Sequence, residues 1–212
     1  ARSDPIIDQT CASGHVHTFY GPLDFHPNTT YQNLLDAQQT PQFSTSPFIE
    51  NQSLYWHPSI YRVTTNSDGS ETFTRVSNLE SSPYYRWDNS VGETKAFPPG
   101  FRMIAASDDD GANMGGENEF NMFTECCDFD DNGEEENCRT WDRLNFPEFS
   151  CGFLGIALAM PTCWDGTDLG ISNNHKSHMR YTTNGEVAGP CPEGFPVRLP
   201  QVQLFVRIPN YQ

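Results

Sequence analysis

The most regular pattern in the chain lies near its end, where Val202, Leu204, Val206 and Ile208 alternate with Gln203, Phe205 and Arg207. A period of two puts the aliphatic residues on one side of an extended strand, so a strand with one apolar face is predicted. Residues 59–78 predict a hairpin. Tyr61 and Val63 alternate with polar neighbours, Asn66-Ser67-Asp68-Gly69 supplies the turn, and Phe73 and Val76 follow on the return. The continuous apolar run from Phe153 to Met160 reads as a buried strand and is far too short to span a bilayer. Phe101 to Ala106 is a further candidate strand. Tyr31 to Gln38, following Thr30, predicts a short helix with Leu34 and Leu35 apolar, and no long helical period appears elsewhere. Sixteen prolines and sixteen glycines punctuate the chain. The expected fold is all-β: a β-sandwich or jelly-roll-like single domain over residues 1–212, with long loops and disulfides.

Composition adds a core and a compartment. Aromatics reach 13% while charged residues are only 19%, which argues against disorder and lets large rings supply much of the buried area. Seven cysteines stand at Cys11, Cys126, Cys127, Cys138, Cys151, Cys163 and Cys191. No CxxC pair occurs, so neither a zinc ribbon nor a thioredoxin-type motif is supported. An odd count predicts one free thiol or a link to another chain. The sequons Asn28-Thr29-Thr30 and Asn51-Gln52-Ser53 make Asn28 and Asn51 candidate glycosylation sites. Together with the cysteines they point to secretion into an oxidising compartment, and the opening Ala1-Arg2-Ser3-Asp4-Pro5 reads as a processed start.

The formal net charge is −16. Residues 107–143 carry thirteen of the 28 acids and only two basic residues, Arg139 and Arg143. They read as an acidic, cysteine-containing insertion. Phosphate backbones would be repelled, which excludes nucleic acid as a natural partner and favours cations. Within this segment Asp128, Asp130 and Asn132, followed by Gly133, imitate the start of a calcium loop. Position twelve is Arg139 instead of glutamate, so an EF-hand is rejected and a looser calcium site stays open, beside a solvated, ion-free loop. Asp108, Asp109, Asp110, Glu117 and Glu119 are candidates for a second.

Several blocks in order resemble one family. They are Ser3-Asp4-Pro5-Ile6, Ser13-Gly14-His15-Val16-His17, Tyr55-Trp56-His57-Pro58, Phe97-Pro98-Pro99-Gly100-Phe101-Arg102, Cys163-Trp164-Asp165-Gly166, His175-Lys176-Ser177-His178 and Gly189-Pro190-Cys191-Pro192. The chain resembles the secreted family of fungi and other microbes catalogued as domain of unknown function nineteen ninety-six. That resemblance implies an extracellular protein associated with cell walls or carbohydrate, and it hands over no mechanism.

Four histidines form two tight pairs. His15 and His17 would share a side of a strand, and His175 and His178 would share a side of a helical turn. Convergent imidazoles suit acid–base chemistry near neutral pH or a transition metal, with calcium the more natural ion for this chain. The plainer reading has each histidine bonded to a loop carbonyl. Asp165 is the candidate orienting carboxylate, or simply an Asx-turn. Tyr55, Trp56 and Trp164 are candidate sugar-stacking rings, and Arg102, Lys176 and Tyr181 candidate uronate-binding groups. Of the seven residues Tyr55, Trp56, Tyr61, Tyr84, Tyr85, Trp87 and Trp164, about one or two are expected in an open groove, the rest being core. Three function classes stay in play: an enzyme acting on extracellular polysaccharide by hydrolysis or β-elimination, a self-associating matrix or filament subunit, and a carbohydrate-binding module. An ionisable cluster in a cleft favours the first, and an open aromatic platform the last. No nucleophile elbow, phosphate loop or dinucleotide fingerprint is present.

Overall fold

A computed structural model describes residues 1–7, 9, 12–38, 44–48, 51–105, 122–141, 145–171 and 175–212. Among them the chain forms twelve strands and one α-helix, so it is all-β. It divides into two compact units, Ala1–Val76 and Ser77–Gln212.

In the first unit β1 (His17–Tyr20) pairs antiparallel with β2 (Tyr55–Pro58), setting His17 opposite Pro58, Thr18 opposite His57, Phe19 opposite Trp56 and Tyr20 opposite Tyr55. Between these strands lies α1 (Tyr31–Gln38), the predicted helix. Its start is fixed by a reciprocal cap: Thr30 Oγ1 accepts from the Asn33 amide at 3.2 Å, and Asn33 Oδ1 accepts from the Thr30 amide at 2.9 Å. The predicted hairpin is also present, as β3 (Tyr61–Thr65) and β4 (Glu71–Arg75), closed by the Asn66 amide on Ser70 O at 2.8 Å. Every residue of both strands is exposed.

The second unit is organised by a five-stranded antiparallel sheet in the order β5-β12-β8-β6-β7. These are β5 (Glu80–Arg86), β6 (Met122–Phe129), β7 (Glu135–Arg139), β8 (Cys151–Ala159) and β12 (Gln201–Tyr211). The predicted apolar stripe Val202, Leu204, Val206 and Ile208 is at most 6% exposed, and Leu154 of β8 beside it is fully buried. Burying each such side chain contributes about 1.5–3 kcal/mol, the main term holding the sheet. On the opposite face, pairing sets Phe205 beside Ala157 and Ala157 beside Phe123. Arg207 likewise lines up with Gly155 and Glu125. A Cβ on Gly155 would lie 2.8 Å from Glu125 Cγ, so glycine here lets Glu125 cross the sheet towards Arg207.

A smaller sheet, β10-β9-β11, joins β9 (Cys163–Trp164) to β10 (Met179–Arg180) and β11 (Val197–Arg198). Three disulfides, Cys126–Cys151, Cys127–Cys138 and Cys163–Cys191, all fall in this second unit. Cys11 lies outside the described residues. The expected strand at Phe101–Ala106 is corrected: residues 101–105 are irregular. There the Phe101 amide closes a turn on Pro98 O at 3.1 Å, and the Arg102 amide bonds Leu169 O at 2.8 Å, so the backbone bonds loops in place of a ladder.

Candidate functional site

The two histidine pairs are built differently, each within its own unit. In the second unit, residues 165–171 form a tight loop after β9. Asp165 Oδ1 accepts from the Thr167 amide at 2.7 Å and the Asp168 amide at 3.0 Å, and Asp168 Oδ1 accepts from the Gly170 and Ile171 amides. The Asp165 carboxylate therefore folds its own loop in an Asx-turn. Trp164, half-buried, donates through Nε1 to Asp168 O at 2.7 Å and meets Phe101 edge-on at 5.7 Å. His175 has a left-handed backbone (φ 53°) and donates Nδ1–H to Gly170 O at 3.0 Å, so the expected helical turn is absent. His178 is fully buried against Phe101 and donates Nε2–H to Arg102 O at 2.8 Å. Since a carbonyl only accepts, the tautomer is fixed, and the buried Nδ1 lone pair has no partner among the described residues. Burial lowers the His178 pKa; the Arg102 carbonyl and the charges of Asp168 and Asp165 oppose it, and His175 adds to it. The ring is thus held neutral. Lys176 is half-buried, and Tyr181, proposed at a substrate site, is instead core: it is 2% exposed, with its hydroxyl on Ala159 O at 2.8 Å.

In the first unit His17 is buried at the start of β1 and donates Nδ1–H to Ser3 O at 2.7 Å, while His15 is exposed and touches it edge-on at 4.8 Å. Tyr55 donates to Asn51 Oδ1 at 2.9 Å, and Trp56 packs 6.0 Å from Phe19. Sequence reasoning missed His57. Its Nδ1–H donates to Pro58 O at 2.7 Å, and its Nε2 accepts from the Tyr20 hydroxyl at 3.0 Å. Only the register of two strands joined by a long connection makes that pair, so no local spacing announces it.

The exposed rings lie elsewhere. Of the seven aromatic residues singled out, Tyr61, Tyr84 and Trp87 are exposed and the rest half-buried. Tyr84 of β5 is 57% exposed and meets Phe205 edge-on at 6.4 Å; Phe123, 48% exposed, stands across Ala157 from Phe205. Beside these rings Arg207 pairs with Glu135 at 2.7 Å and lies 3.8 Å from Glu125.

The model of one family, described as domain of unknown function (DUF1996), matches residues 4–209. The chain belongs to this family. No curated protein and no solved structure matches it.

In this DUF1996 chain the acidic segment is partly accounted for by local bonding. Asp128 Oδ1 accepts from the Gly152 amide at 3.0 Å, Asp130 Oδ1 from the amides of Asn132 and Glu134, and Asp130 Oδ2 from the Asn132 side chain. Those bonds, the Glu134 amide first, lower the Asp130 pKa and shape the β6–β7 turn. Asp108–Asp110, Glu117 and Glu119 lie outside the described residues. Among the described residues the one trio of metal-ligating side chains is Cys127, Glu135 and Cys138, whose two sulfurs are joined in a disulfide. Of the two sequons, Asn28 is exposed and Asn51 half-buried. No described helix is long and apolar enough to cross a membrane.

Proposed function

We propose that this DUF1996 protein is an extracellular glycan-binding protein whose binding surface is the exposed face of the five-stranded sheet. The observation that carries this reading is the row of rings there. Tyr84 and Phe205 stand on one side of the small Ala157, Phe123 stands on the other, and the Arg207–Glu135 pair adjoins them. Flat apolar rings are cheap to order and cover sugar faces, while a guanidinium and carboxylates reach the hydroxyls. Three disulfides fit the oxidising compartment in which such ligands occur. Titration of the full chain against a panel of soluble cell-wall oligosaccharides tests the reading. Tyr84→Ala and Phe123→Ala should each weaken binding about tenfold, matching one lost stacking contact. Phe73→Ala, on the exposed hairpin of the first unit, should leave it unchanged. Equal affinity in all three variants would refute the assignment.

A further inference from the structure

The β1–β2 ladder assembles three side chains that no motif links. Thr18 faces His57 in register and Tyr20 lies two residues along, so Thr18, Tyr20 and His57 share one side of the strand pair. The Tyr20 and His57 rings stack at 5.7 Å and 28°, and the phenol donates to Nε2 at 3.0 Å. The Nδ1–H bond to Pro58 O fixes the tautomer, leaving the Nε2 lone pair directed at Tyr20. Arg75, at the end of β4, donates Nη2–H to Thr18 Oγ1 at 3.1 Å, and that oxygen lies 2.8 Å from Ser59 Oγ. Among the described residues no carboxylate pairs with Arg75 or bonds His57. Tyr20 and His57 are half-buried and Arg75 is exposed. A neutral base, a phenolic acid and a guanidinium therefore sit side by side in a strongly acidic protein.

We propose that Tyr20, His57 and Arg75 form an acid–base site that cleaves a uronate-bearing polysaccharide by β-elimination, a step that rests on the glycan reading above. Arg75 holds the uronate carboxylate and spreads the charge that develops on it. This makes the neighbouring C5–H acidic. As the Tyr20 hydroxyl turns from Nε2 to the C4 oxygen, His57 Nε2 takes the C5 proton, the C4–O bond breaks as the C4–C5 double bond forms, and Tyr20 protonates the departing oxygen. The products are a chain ending in a free hydroxyl and an unsaturated uronate, and no water or oxidant enters. The imidazolium then returns its proton to the Tyr20 oxygen along their hydrogen bond, restoring both groups. A neutral sugar lacks the acidifying carboxylate. Hydrolysis calls for a pair of carboxyl groups, and among the described residues none bonds His57 or Arg75. The groups whose charge acts on His57 agree with its role. Burial lowers its pKa first, Arg75 and His17 push the same way, and the Pro58 carbonyl opposes them. The base is therefore free at neutral pH, and turnover should fall only as the pH drops below the ordinary histidine value of 6.5.

The test incubates the full chain with polygalacturonate, alginate and glucuronan, with a neutral glucan as control, and follows the ultraviolet absorbance of the unsaturated uronate. At least one polyuronate should yield product, and the neutral glucan none. Tyr20→Phe and His57→Gln should each lower kcat about 100-fold or more, whereas Arg75→Lys should chiefly raise KM. Tyr20→Phe keeps the ring stack, so an unchanged melting temperature separates lost chemistry from lost fold. Absence of product from every polyuronate, with Tyr84-dependent glycan binding intact, would overturn the elimination site and spare the glycan reading. Absence of both would overturn both. Undiminished turnover in Tyr20→Phe and His57→Gln would also overturn it.

Discussion

At the scale of single residues, the histidines divide by what their second nitrogen meets. His57 offers its lone pair to the half-buried Tyr20 phenol, whereas the His178 Nδ1 lone pair is buried and meets no partner among the described residues. Gly170 packs on the Nε2 side of the His178 ring. It has φ 86°, and a Cβ there would lie 2.1 Å from Arg102 O and 3.0 Å from His178 Nε2. A proton arriving at the buried His178 Nδ1 meets no acceptor among the described residues, so the folded ring resists charging while the unfolded one does not. Above the unfolded value of 6.5 both states are neutral and the ring contributes no pH dependence. As the pH falls below it, the unfolded chain binds the proton first, and the unfolding free energy declines until the lowered folded pKa is passed. Urea denaturation at neutral pH and below 6.5 should show this loss. His178→Gln, which keeps a donor for Arg102 O, should flatten the slope, leaving the part of the same sign that His57 supplies. An unchanged slope would mean that His178 is not sealed. None of this was visible in the His175-Lys176-Ser177-His178 spacing, because the expected helical turn assumed backbone angles that His175 does not adopt.

At the scale of elements, the strands that could be read from sequence are those whose partners demand a strict period. β12 alternates because one side packs into a core, and β8 is nearly continuous in apolar residues because most of it is buried. The segment from Phe101 has similar local hydrophobicity but follows Pro98-Pro99-Gly100; its Phe101 amide closes a turn on Pro98 O and its Arg102 amide bonds the loop at Leu169. The β3–β4 hairpin shows the opposite case, legible from its turn chemistry together with alternation. Alternation there reports the pleat, and neither side is buried. The two elements should consequently answer mutation differently. Leu204 is 2% exposed and paired with Leu158 and Pro83, so Leu204→Ala should cost about 2–5 kcal/mol in denaturant unfolding. Phe73 is 61% exposed, and Phe73→Ser should stay within about 0.5 kcal/mol. A large loss at Phe73 would reveal a surface that packs against something in solution.

At the scale of the whole molecule, the acidic segment and the cross-links answer each other. β7 brings Glu135 and Glu136 beside β6, which carries Glu125 and Asp128, and like charges so placed repel. The Arg207–Glu135 pair offsets part of that repulsion, and Cys127–Cys138 ties the two strands covalently. Cys163–Cys191 acts on a longer stretch, pinning β9 to the loop before β11 across 28 residues, against 11 for Cys127–Cys138. If each bond works by narrowing the unfolded ensemble, loop length gives about 3.6 kcal/mol for the longer closure and about 2.8 kcal/mol for the shorter. Cys127 and Cys163 are both fully buried, so trimming either sulfur opens a void and loop length remains the main difference between the two bonds. Paired Cys→Ala variants unfolded in urea should therefore rank Cys163/Cys191 as the costlier loss by about 1 kcal/mol. Added salt should widen this difference by relieving the repulsion at β7 that is left uncovered when Cys127 and Cys138 are removed. The reverse ranking at low salt would mean that holding the carboxylates together, more than closing a long loop, is what the cross-links contribute.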